Sequence, residues 1–137
     1  MLGAITGDIV GSIYEHNSHK SKDFPFFGEG CRFTDDTVCT IAVADCIMSD
    51  GDFSDYLGSY ALRYSNRGYG GMFKRWATQW DRKPYGSWGN GSAMRVSSAA
   101  HVARDEQELL DLAKQTSVVT HNHPDAVAGA KAVALAM

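Results

Sequence analysis

The chain is poor in the features that mark several protein classes. It has three cysteines in 137 residues, none in a CxxC pair. An odd count without such spacing excludes a disulfide scaffold and a thiolate zinc site, and fits a reducing, cytoplasmic setting. There is no basic, then apolar, leader pattern at the start, and no run near the ~20 apolar residues that a membrane span needs. No membrane association is expected. Formal charge is −3 and the thirteen Lys and Arg are dispersed, so nothing draws nucleic acid to the surface. The sequence has no strand-like alternation, no internal repeat and only three prolines.

What is present is helical periodicity. Hydrophobic residues make up 44% and charged residues 21%, proportions of a single globular domain, here 1–137. The spacing predicts helices over Leu2–Tyr14, Thr37–Met48, Phe53–Ser65, Ser92–Ala103, Asp105–Lys114 and Asp125–Met137. A glycine-rich, aromatic stretch from Arg67 to Gly91 carries one helical turn near Met72–Trp80, with Trp76 and Trp80 expected to face inward. Pro124 suits a first helical position. Cys39 and Cys46, seven apart, share a face as small apolar residues. The fold class is all-α, a compact helical bundle.

Four segments carry chemistry. In Phe33-Thr34-Asp35-Asp36-Thr37 two adjacent carboxylates open an apolar helix that Thr34 caps. A charged cap favoured by the helix dipole and an oxygen-ligand site for Mg²⁺, Mn²⁺ or Ca²⁺ both fit. Gly3, Gly7 and Gly11 recur every four residues, a stripe that lets a backbone or ligand approach closely. Asp8, Ser12 and Glu15 follow on a neighbouring face. Gly89-Asn90-Gly91-Ser92-Ala93-Met94-Arg95 enters a helix as a simple tight turn or as an anion-binding loop. Thr120-His121-Asn122-His123-Pro124-Asp125 sets polar groups at another helix start. The letters His-Asn-His match a nuclease tripeptide, but no zinc or ββα pattern accompanies them.

In wording and order, GDIVGSIYE, FTDDT, GNGSAMR and THNHPDA resemble the N-terminal half of the ADP-ribosylglycohydrolase family, which includes dinitrogenase-reductase-activating glycohydrolases and eukaryotic ADP-ribosyl hydrolases. The resemblance implies an all-helical domain with two Mg²⁺ ions and a cleft for ADP-ribose. It implies Thr34, Asp35 and Asp36 as metal ligands and Asp36, or Glu15, as the carboxylate that deprotonates the attacking water. Gly89, Asn90, Gly91, Ser92 and Met94 would line the phosphate and ribose path, with His121 near the ligand. Asp8 would be a supporting residue and Arg95 a brace for the loop. Tyr69, Tyr85 and Trp88 are aromatics available for packing or for stacking on adenine. The implied reaction is Mg-dependent hydrolysis of the N- or O-glycosidic bond joining ADP-ribose to a protein side chain. The alternative is a non-catalytic module that binds ADP-ribose, a related nucleotide or a protein.

The family's C-terminal half supplies a further Asp-x-Asp-Thr/Ser metal motif, and no such tetrapeptide follows Asp36. The chain also stops within the apolar run Ala132–Met137, a helix end that leaves carbonyls and apolar surface in want of cover. The expectation is therefore a homo-oligomer, or a complementing chain that brings the missing ligands in trans.

Overall fold

The computed structural model describes all residues from 1 to 137 and contains helices and turns without a strand. In chain order the helices are α1 Leu2–Gly11, α2 Asp35–Met48, α3 Phe53–Arg63, α4 Gly71–Ala77, α5 Ser97–Val102, α6 Glu106–Val118 and α7 Pro124–Leu135. The tight 3₁₀ turn Asn90–Ser92 stands before α5.

Helix α2 is the axis of the fold. Thr37, Val38, Cys39, Thr40, Ala42, Val43, Ala44 and Cys46 are all buried, so the helix is enclosed on nearly every side. Neighbours α1, α3 and α5 pack around it. One core joins α2, α3 and α4 through Val43, Leu57, Ala61, Tyr69, Phe73 and Trp76. Tyr69, Phe73 and Trp76 stack in succession, with centroids 5.4 and 5.2 Å apart. A second, smaller core of Val96, Ala99, Ala113 and Ala134 joins α5, α6 and α7. Alanine there lets α6 and α7 approach closely, as short side chains leave little between two backbones.

Local chemistry sets the helix ends. Thr34 Oγ1 accepts from Asp36 N, Asp52 Oδ1 from Ser54 N and Asp55 N, and Asp105 Oδ1 from Glu108 N. Glu108 does not close a capping box: its carboxylate accepts from Arg104 N, one residue before the cap. Pro124 opens α7 as expected, with the His123 imidazole capping it.

Several expectations change. The helix placed over Ser92–Ala103 is a 3₁₀ turn, a hydrogen-bonded turn over 93–96 and then a helix of six residues, because Ser92, Arg95 and Val96 are drawn inward by tertiary contacts. Helix α6 runs on to Val118, and α3 ends at Arg63. Trp76 is inward, but Trp80 is fully exposed, since α4 ends at Ala77 and the chain leaves the core. Nothing lies within 4 Å of where a Cβ would stand on Gly3, Gly7 or Gly11. The stripe serves no close packing inside this chain.

Candidate functional site

The site begins at Asp8 in α1. Its Oδ2 accepts from Thr34 N at 2.8 Å, Thr37 N at 3.1 Å and Thr37 Oγ1 at 2.5 Å, while Oδ1 accepts from Thr34 Oγ1 at 2.5 Å. Four donors from the first turn of α2 converge on one carboxylate. The first N–H groups of a helix have no partner within it, and an anion there also meets the positive end of the dipole. Asp8 is thus a structural clamp that fixes α1 against the start of α2. Ser12 adds to it, accepting from Arg32 N at 3.0 Å and tying down the segment leading to Thr34.

Asp35 and Asp36 follow, each half-buried. Burial, then Asp36, then more distant Glu15 and Asp8 push the Asp35 carboxyl up to about 6. Burial and the charges of Asp8 and Glu15 likewise raise Asp36, against the Thr34 hydroxyl that lowers it. No ion pair of the structure involves Asp8, Glu15, Asp35 or Asp36. Crowded carboxylates without a basic partner are a local excess of negative charge that a cation relieves. The donor set is all hard oxygen, which fits Mg²⁺ or another hard divalent ion. The Thr34 hydroxyl gives its proton to Asp8, which leaves oxygen lone pairs for other partners.

The two carboxylates look into different recesses. Asp36 shares a polar one with Gly7, Asp8, Gly11, Ser12, Glu15, Thr34 and Asn90. Asp35 shares a larger cavity of about 290 Å³ with Tyr85, Gly89, Asn90, Gly91, Met94 and His121, among others. Asn90 borders both. The structure therefore brings the metal candidates and most of the substrate candidates to one corner. Glu15 is exposed at the rim of the polar recess. Ser92 stands apart: it is fully buried and its hydroxyl donates to Ala126 O at 3.2 Å, fastening the loop to α7. Tyr69 belongs to the core, Tyr85 lines the cavity, and Trp88 is exposed near His123.

Three groups hold the glycine loop over α2. Thr40 Oγ1 donates to Met94 O at 3.3 Å, Ser98 Oγ donates to Thr40 O at 3.3 Å, and Arg95 reaches across to α6 and its C-terminal loop. His121 packs against Gly91, where a Cβ would come within 2.9 Å of the imidazole Cε1 and Nε2. Only glycine allows that approach. Burial and then the positive Arg95 push the His121 pKa down to about 4, so the ring is neutral near pH 7. Asn122 Oδ1 accepts from Gly86 N at 2.9 Å, tying the aromatic loop to the start of α7.

The donors fall short of a cage. No three His, Cys, Asp or Glu side chains converge closely enough to hold an ion by themselves. The one later Asp-x-Asp, Asp50-Gly51-Asp52, lies beyond the far end of α2, about 20 Å of helix away. Asp52 is spent there as the α3 cap, so this pair cannot join the site.

The whole chain, residues 1–137, matches the ADP-ribosylglycohydrolase family model. It belongs to the ADP-ribosylglycohydrolase family. Among its relatives, ADP-ribosylhydrolase ARH3 of Xenopus tropicalis is 26% identical, over 88% of this chain and 43% of that protein. The ARH3 of Gallus gallus is 29% identical over 100% of this chain and 48% of its own length. The chain spans about half the length of the curated relatives it matches. The chain is thus an all-helical member of the ADP-ribosylglycohydrolase family that carries one carboxylate corner and one glycine-lined cavity.

Proposed function

We propose that this chain binds ADP-ribose in the cavity between Asp35 and His121 and takes part in Mg-dependent release of ADP-ribose from modified protein side chains. The observation that carries the reading is the junction at Asn90, where a cation-seeking carboxylate pair meets a glycine-lined cavity. Backbone N–H groups of Asn90 and Gly91 suit a diphosphate, while Gly89 N donates to Ser87 Oγ and shapes the turn before them. Tyr85 and Met94 offer apolar cover, and neutral His121 offers a hydrogen bond. Thr34, Asp35 and Asp36 would hold the metal, with Glu15 at the rim. Bound there, divalent ions orient ribose hydroxyls and acidify water. Asp36 takes the role of the general base, with Glu15 as the other candidate. A carboxylate without a basic partner is well suited to accept a proton from water as it attacks the anomeric carbon of an N- or O-glycoside.

A second reading rests on the incomplete donor set: a module that binds ADP-ribose without turnover. Under the first reading, further ligands come from a family C-terminal half or from a second copy of this chain. One experiment separates the two. The purified chain, alone and mixed with a separately expressed C-terminal half of a family relative, is incubated with ADP-ribosylated protein and Mg²⁺, with Asp36→Asn as control, and free ADP-ribose is measured alongside calorimetric binding of ADP-ribose. Release that Asp36→Asn abolishes supports the hydrolase, binding without release supports the module, and neither overturns both.

A further inference from the structure

Arg95 is the one large charged side chain in the interior, 1% exposed and without any carboxylate in ion-pairing reach. Its Nη2 donates to Thr116 O at 2.7 Å and to Thr120 Oγ1 at 2.8 Å, while its Nε has no partner. Bracing a loop explains the first of these bonds. The second leads into the cavity.

A guanidinium can only donate, so Thr120 Oγ1 must accept from it. The hydroxyl keeps a single proton, and Thr120 is fully buried. Within reach of that proton stands one acceptor, His121 Nδ1, at 2.7 Å. Were Nδ1 to carry hydrogen instead, the Thr120 oxygen would accept twice and its own proton would be buried without an acceptor, an arrangement that native interiors avoid. Nδ1 is therefore the acceptor, and the ring hydrogen sits on Nε2. That edge of the ring lies against Gly91 in the cavity wall.

We propose that Arg95 is a positioning residue: acting through Thr120, it locks His121 as the neutral Nε2–H tautomer, so that the cavity offers a fixed N–H donor to an acceptor oxygen of its ligand. The lock follows from direction in a hydrogen-bond chain. Arginine is a donor at every physiological pH, the threonine hydroxyl passes that polarity on, and the imidazole has one arrangement left. The buried positive charge opposes protonation of the ring, which keeps the donor neutral. The ligand's identity as ADP-ribose, with a phosphate or ribose oxygen as the acceptor, rests on the preceding proposal. The tautomer does not.

The test is two-bond ¹H–¹⁵N correlation spectroscopy of the imidazoles at pH 7 on the full chain, for the wild type, Thr120→Val, Thr120→Ser and Arg95→Met. The wild type is expected to show the Nε2–H pattern for His121. Thr120→Val, isosteric but without the hydroxyl, and Arg95→Met are expected to give mixed tautomers, and Thr120→Ser to restore the pattern. An Nδ1–H pattern in the wild type overturns the proposal, and that single spectrum decides even if a variant fails to fold. Folded Thr120→Val and Arg95→Met chains with wild-type spectra also overturn it. In parallel, ADP-ribose titrations should weaken about tenfold in Thr120→Val and recover in Thr120→Ser. Absence of ADP-ribose binding by the wild type would sink the functional reading and leave the spectra to decide the tautomer.

Discussion

Asp8 Oδ2 lies 2.5 Å from Thr37 Oγ1 and 3.1 Å from Thr37 N, so one residue of α1 satisfies both the side chain and the backbone of one residue of α2. With the two matching bonds to Thr34, this contact sets where α2 begins, and hence where Asp35 and Asp36 stand.

Asp8→Ala should destabilise the chain by about 2–4 kcal/mol, because four donors lose a charged acceptor and the N–H groups at the start of α2 are left without a partner. Urea unfolding measures this. A loss within experimental error would mean that α1 is not held by the clamp.

Asp36→Asn should act in opposite senses on stability and on metal. Removing one of two half-buried neighbouring charges relieves repulsion and should leave stability unchanged or raise it by up to about 1 kcal/mol in chelator. The rise in melting temperature on adding Mg²⁺ or Mn²⁺ should vanish. Thermal unfolding with and without the ion reads both effects, and a variant that keeps the metal-induced rise would exclude Asp36 as a ligand.

Gly91→Ala places a methyl within 2.9 Å of His121, so the ring or the loop must shift. A destabilisation of about 1 kcal/mol is expected, with at least a tenfold loss of ADP-ribose affinity. Calorimetry showing wild-type affinity would place the ligand elsewhere.

Stability should fall on mild acidification through His121. The unfolded imidazole takes up a proton near 6.5, whereas the folded ring resists it until about 4. The unfolded state therefore binds more protons between these values. The contribution is fully present above pH 6.5 and drains away as pH falls toward 4, on the order of 3 kcal/mol in all. In the fold, Arg95 and the Tyr85 ring face this imidazole. Denaturation midpoints of the wild type and His121→Gln across this window should diverge with that slope, and parallel profiles would contradict it.

Helices α2, α3, α6 and α7 were legible in the sequence because each carries its own signals. Thr34, Asp52 and Asp105 mark starts, Pro124 marks another, and the apolar run of α2 announces an enclosed helix. The segment from Asn90 to Val96 was not, since its irregular path is imposed from outside by Ala126, Thr116 and Thr120, residues distant in sequence. Asp8, Ser12 and Glu15 stood on one predicted face, yet only contact with α2 separates the clamp from the rim carboxylate. Ser92 shared the wording of the glycine loop but turns into the core. Arg95 carried no local sign of complete burial, for arginine is usually exposed. The pairing of Thr120 with His121 could have been suspected from adjacency alone, but its polarity depends on the arginine.

The open lane along Gly3, Gly7 and Gly11 has a thermodynamic consequence. Helix α1 buries only Val10, its first turn has no side-chain cap, and three of its ten residues are glycines. Such a helix melts readily unless something outside it supplies the balance. The Asp8 bonds supply part, but they lie at the same corner as the carboxylates that repel one another. Any cation that quiets that corner also favours an ordered α1, and any segment laid along the glycines tightens the cation's site in return. With the proposed metal bound, its affinity and the order of α1 would be linked functions, each reporting on the other.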